Sequence, residues 1–283
     1  SFLEDALTID YNYELLRGFA SELGRFITDY RLFYQKIECC ILQSDCSNIK
    51  HTFLCACFRS LYERDSNFCH DRLDKYVQIA EMNNLVQYLQ AAIPIDGRSI
   101  ERIAGHLKNP RLVITGYCNL SGGRRHETIP DNKLVILLSL LWPHQNGPQC
   151  VFEILALRFL SEKDGSYHPD NELIRCAQEF VLTVIGSTQL SPGDIWNHNL
   201  NMVAERVFSA CSETITNRLI DSLIKALHAH TLYQFDSNAI AIAICKNHPL
   251  VLLERLSPAG EAINEELSDV LNEQRHMKNL PLT

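Results

Sequence analysis

The stretches DNELIRCAQEFVLTVI (residues 170–185) and ETITNRLIDSLIKALHAH (213–230) decide the fold. Each reads as an apolar helix, and each is followed after a short polar turn by a second apolar helix, over 194–211 and 237–256. A similar pair precedes them at 132–142 and 149–160. The pair starts, 132, 170 and 213, define a spacing of about 40 residues, which suits stacked helical hairpins. Pro143, Pro148, Pro169, Pro192 and Pro249 punctuate the turns, because proline fixes φ and removes an amide donor. A last helix over 258–275 carries many acids and fits the polar cap such an array needs.

Upstream the pattern changes. Over residues 11–43 the apolar positions Leu16, Ala20, Leu23, Ile27, Tyr30, Tyr34, Ile37 and Ile41 alternate in steps of four and three, a heptad seam with Asp10 as its N-cap. Phe19, Phe26 and Phe33 broaden the seam, so the helix is expected to pack in a bundle. Gly18 and Gly24 weaken it by about 1 kcal/mol each unless close helix contact uses them. Two further helices are predicted between residues 47 and 94, one carrying Phe53, Cys57 and Leu61, the other running from Leu73 to Ile93, with the turn at Asp65, Ser66 and Asn67. A short helix over 99–108 follows, and residues 111–119 read as a strand or another helix, with helix preferred. The polar stretch SGGRRHETIP (121–130) separates the halves. The expectation is therefore an all-α chain: an N-terminal helical bundle over 1–119, a Gly/Arg loop over 120–131 and irregular helical hairpins over 132–283.

The stretch NAIAIAICKNHPLVLLERL (238–256) resembles the small-apolar helix, Asn-x-Pro break and Leu-rich second helix of HEAT-like α-solenoid repeats. Alanines let the first helix approach its neighbour, and Pro249 sets where the second begins. The resemblance covers about the last 150 residues. It implies a binding scaffold, often one part of a large assembly, and supplies no catalytic residues.

Composition narrows the function classes. With 283 residues, 46% hydrophobic and 21% charged, the chain can bury a large core. Its net charge of −8 repels nucleic acid and anionic lipid, so phosphate contact needs a local basic patch. The longest apolar run, 134–142, is broken by Ser139 and too short to cross a bilayer. Eleven cysteines, an odd number on apolar helical patterns, predict a reduced, cytoplasmic protein. The chain starts at Ser1 without a secretory segment, and is expected to be a processed product or a piece of something larger.

Three constellations are candidates for chemistry. Arg98, Arg102, Lys108, Arg111, Arg124, Arg125 and His126 form a basic strip, with glycines at 122 and 123 that would let backbone amides reach a phosphate or nucleic-acid backbone. Cys39, Cys40, Cys46, His51, Cys55, Cys57, Cys69 and His70 are the densest cluster. Within it His51, Cys55, Cys69 and His70 are the candidate zinc ligands, while buried cysteine as small apolar filler is the competing reading. Trp142 and Trp196 stand near turns, where an indole can anchor a partner or pack on the next repeat. His144, His168 and His248 each adjoin a proline, with no Ser or Cys nucleophile in a recognisable elbow. No Walker or dinucleotide glycine motif is present, no catalytic residue is assigned, and no cofactor is expected apart from zinc. The expected function is a non-catalytic protein-interaction or scaffold module, with a nucleic-acid-binding subunit and a zinc-containing structural protein as alternatives.

Overall fold

The computed structural model describes residues 13–42, 48–109, 112–120, 129–163, 167–187, 195–209, 211–229 and 238–251. Among them every regular element is helical and none is a strand: the fold is all-α. The helices are α1 (Tyr13–Phe26), α2 (Tyr30–Leu42), α3 (Asn48–Tyr62), α4 (Ser66–Tyr76), α5 (Asn83–Ala92), α6 (Gly97–Leu107), α7 (Asp131–Leu141), α8 (Gly147–Lys163), α9 (Asn171–Ile185), α10 (Ile195–Phe208), α11 (Glu213–His228) and α12 (Asn238–Asn247). Two 3-10 turns, Ala80–Met82 and Thr115–Leu120, complete the set. Asp10, the loop 121–128 and the acidic segment 258–275 lie outside the described residues.

The chain forms two compact units, 1–176 and 177–283, divided within α9. The division expected at 120–131 is not where they part, because α6 packs on α7 and the 115–120 turn packs on α8. Helices on both sides of the Gly/Arg loop thus belong to the first unit.

In the first unit, α1 lies against α3 through Leu16, Ala20 and the close approach of Gly24. A Cβ on Gly24 would sit 2.3 Å from the Cys57 carbonyl oxygen, so only glycine permits this contact, whereas Gly18 faces open space. Tyr34, Phe53 and Phe58 form the centre, and Tyr34 meets Phe58 and Phe68 edge-on at 5.9 and 5.8 Å. Each such ring pair contributes about 0.5–1.5 kcal/mol beyond area burial.

Two expected helices are broken. The heptad seam stops at Phe26 and resumes at Tyr30, because Asp29 accepts the Leu32 amide at 3.1 Å as a cap. Arg64 meanwhile donates to the Gly24 and Ile27 carbonyls, both at 3.0 Å, supplying partners to orphan C-terminal acceptors of α1. The helix expected from Leu73 to Ile93 likewise divides into α4 and α5. Ile79 there is extended, with φ −111° and ψ 112°, and the bend lets Leu85, Val86 and Leu89 join the core. Of the stretch 111–119, the described residues 112–119 are not an α-helix. Leu112 to Ile114 are irregular and the 3-10 turn follows, anchored by Gln87 Nε2 donating to the Val113 carbonyl at 2.7 Å.

Beyond the loop, α7 buries Leu134, Leu137, Leu138 and Leu141, while α8 is apolar nearly all round and buried accordingly. Gly147 makes the turn between them, since its Cβ would fall 2.2 Å from the Leu141 carbonyl. Asp131, at the first residue of α7, accepts from Arg158 at 2.7 Å, Tyr167 at 2.6 Å and the Asp170 amide at 2.8 Å. That shared carboxylate ties the start of α9 to the start of α7.

The second unit comprises the rest of α9 with α10, α11 and α12. Gln178 donates to the Val207 carbonyl at 2.8 Å, Arg218 grips Glu179 at 2.6 and 2.9 Å, and α10 packs on α12. Val181, Val203, Ala204, Leu219 and Ala243 are among its buried residues.

Candidate functional site

A polar cleft of about 340 Å³ opens in the first unit, lined by Asp74, Gln78, Asn83, Glu101, Arg102 and His106 among others. Asp96 caps α6 by accepting the Ser99 amide at 2.8 Å, which fixes the helix that carries Arg98, Arg102 and His106 into the cleft region. Residues 98, 102 and 106 are four apart and therefore share one face.

Arg102 is the hub. It donates to Asp74 at 2.5 Å, to Gln90 Oε1 and to His70 Nδ1 at 3.0 Å, and its side chain is 2% exposed. Arg98 reaches Asp71 at 2.7 Å and Asp74 at 2.5 and 2.9 Å. Burial alone would raise the Asp74 carboxyl, but the Arg102 and Arg98 hydrogen bonds outweigh it and hold Asp74 below its usual range. Asp96 is lowered in the same way, with the Ser99 amide overcoming desolvation.

His70 Nε2 stands 3.3 Å from Asp96, yet this is not an ion pair in the ordinary sense. Desolvation lowers the His70 pKa, and its Nδ1 already accepts from Arg102, so a neutral imidazole donates Nε2–H toward Asp96. His106 is pushed down to about 4, first by burial and then by the nearby His144. Asn83 Oδ1 must accept, so Nε2 carries the proton at 3.0 Å, and Tyr117 donates its hydroxyl to Nδ1 at 2.9 Å. The cleft therefore holds the Asp74–Arg102 ion pair, the Glu101 carboxylate and a neutral imidazole. It offers hydrogen bonds, and no Ser, Cys or Lys nucleophile is among its lining residues.

The sequence-predicted residues distribute as follows. Arg98 and Arg102 are drawn together, but as partners of Asp71 and Asp74, so the charge expected to face a phosphate is neutralised within the protein. Lys108 is exposed at the C-cap of α6. Arg111, Arg124, Arg125 and His126 lie outside the described residues, so the remainder of the basic strip has no geometry here.

Of the zinc candidates, His51 stacks on Tyr88 with ring centroids 4.5 Å apart, and Cys55 is half-buried on the same helix. Cys69 donates to the Phe58 carbonyl at 3.8 Å, its thiol pushed well up by burial, and His70 is engaged by Arg102. No three His, Cys, Asp or Glu side chains among the described residues converge as a metal ion requires, so these four do not form one site. The side chains of Cys39, Cys40 and Cys46 lie outside that description.

Trp142 is half-buried at the α7–α8 turn, edge-on to Phe152 at 5.9 Å. The Trp196 side chain is outside the described residues. His144 donates Nε2–H to the Leu107 carbonyl at 3.1 Å and is buried, a structural use of a turn histidine.

One juxtaposition escaped the sequence reading. Cys211, in the turn between α10 and α11, lies with Sγ 3.7 Å from Nε2 of His248 at the end of α12. The two are 37 positions apart, and each alone is an ordinary turn residue, so no local sequence signal joins them.

No family model matches the chain, and no curated protein or solved structure matches it either.

Proposed function

We propose that the chain is a non-catalytic protein-interaction module, one part of a larger assembly, whose later portion is an irregular HEAT-like array. The observation that supports this reading is a recurring sequence offset between tied groups. Asp131 holds the Asp170 amide 39 positions on, and Glu179 holds Arg218 39 positions on. Cys211 meets His248 37 positions on, and α10 packs on α12, the corresponding helix of the next pair. Such offsets arise when equivalent positions of successive hairpins stack, and stacked hairpins leave a long face for another molecule. The polar cleft fits a non-catalytic role, since its Arg102 is held by Asp74 and no Ser, Cys or Lys lines it. Exposed Phe26, Leu32, Ile242 and Leu250 supply apolar contact area of the kind partners cover.

The test is native affinity purification of the tagged full-length protein from its own cells, followed by chemical crosslinking and mass spectrometry. A co-purifying protein near equal stoichiometry, crosslinked repeatedly to the hairpin region, is expected. A protein that elutes alone, with no crosslink above that of an unrelated control, overturns the reading.

A further inference from the structure

Cys211 is half-buried, and three polar atoms surround its thiol: Phe208 O at 3.5 Å, Thr216 Oγ1 at 3.1 Å and His248 Nε2 at 3.7 Å. The Thr216 hydroxyl spends its one hydrogen on the Ser212 carbonyl at 3.1 Å, so toward Cys211 it accepts. Toward the carbonyl and the hydroxyl the thiol is thus the donor. Of these neighbours, a carbonyl and a hydroxyl can only share the proton, whereas His248 Nε2, in the tautomer that carries its hydrogen on Nδ1, can take it away. The surroundings differ from those of Cys57 and Cys69, which are fully buried in the first unit with thiols pushed up by desolvation.

Rigid elements hold the pair. Cys211 sits between α10 and α11, with the Thr216 amide bonded to Ser212 O at 3.0 Å. His248 is fixed by its own amide donating to the Ile244 carbonyl at 2.8 Å, just before Pro249. Ser212 Oγ accepts the Ile215 amide as α11 begins, placing the positive end of that helix beside the thiol. Thiol, base and local potential together make up the arrangement by which proteins raise the nucleophilicity of cysteine.

We propose that Cys211 is a covalent modification site for soft carbon electrophiles, with His248 accepting the thiol proton. In the reaction Sγ attacks the electrophilic carbon, a carbon–sulfur bond forms and the bond to the leaving group breaks. The leaving group departs with its electron pair, and the thiol proton passes to His248 Nε2 and then to water. One equivalent is consumed and the thioether remains, so the step involves no turnover. It does not depend on the scaffold reading.

The probe is iodoacetamide on the full-length protein at neutral pH, with the extent of carbamidomethylation at each cysteine followed by peptide mass spectrometry. Exposed Cys245, on the same helix that leads to His248, is the internal reference. Cys211 is expected to react about tenfold faster than Cys245 despite being less exposed, and His248→Gln is expected to remove that advantage while leaving Cys245 unchanged. Cys211 reacting no faster than Cys245 in the unmodified protein overturns the proposal, and that comparison needs no variant. Retention of the fast rate in a helical His248→Gln protein overturns the part assigned to His248.

Discussion

Acidification tests the buried polar network most directly, through His106. Its imidazole is 4% exposed and fully engaged as a neutral ring, with Tyr117 donating to one nitrogen and Asn83 accepting from the other. A second proton would need an acceptor at Nδ1, where the Tyr117 hydroxyl already points. Burial and the neighbouring His144 accordingly lower its pKa from 6.5 to about 4. A lowered folded value means that the unfolded chain takes up the proton first. The contribution of neutral His106 is therefore intact above about pH 6.5 and is lost as the pH falls toward 4. The linkage integral gives a loss of about 2 kcal/mol at pH 5 and about 3 kcal/mol at pH 4. Urea unfolding at pH 7 and pH 5, followed by Trp142 fluorescence in a Trp196→Phe background, reads the first unit. His106→Gln keeps hydrogen-bonding capacity without titrating, so the variant should lose about 2 kcal/mol less than the parent between the two pH values. Other groups, including Asp74 and Asp96, titrate alike in both proteins and cancel. Equal pH sensitivity of parent and variant would refute the reasoning.

The contact of α1 with α3 predicts opposite outcomes for two glycines. Gly24→Ala should destabilise the first unit by more than about 2 kcal/mol, because the new Cβ meets backbone at Cys57, while Gly18→Ala should stabilise it by up to about 1 kcal/mol; thermal melts followed by circular dichroism distinguish them. Asp74→Ala should cost about 3 kcal/mol in urea unfolding, since it leaves the Arg102 guanidinium buried without its carboxylate, and Arg102→Met should cost less than Asp74→Ala. Loss of the Glu179–Arg218 pair, half-exposed on both sides, should change stability by no more than about 1 kcal/mol, and a double-mutant cycle measures it.

Much of the helical pattern was legible because apolar spacing is a local property. Residues 99–108, 132–142 and 170–185 read as helices and are helices within one or two positions, since Asp96 and Asp170 are ordinary caps that a sequence displays. The two missed breaks, after Phe26 and after Tyr76, have partly remote causes. Arg64 closes the end of α1 from 40 positions away, and α5 turns to reach a core built by α1 and α3. The pairing of Cys211 with His248 was invisible for the same reason, each residue alone being unremarkable in its turn.

Composition and periodicity by themselves determined that this chain is all helix, because the 3.6-residue repeat of apolar side chains and the positions of Pro and Asp act within a single turn. Tertiary structure alone decided what the charged and nucleophilic side chains do. A stripe of arginines reads as an anion site until Asp71 and Asp74, 24 to 28 positions earlier, are seen to neutralise Arg98 and Arg102. Electrostatic and proton-transfer behaviour depends on distances across the fold, and those distances are fixed only when the helices pack.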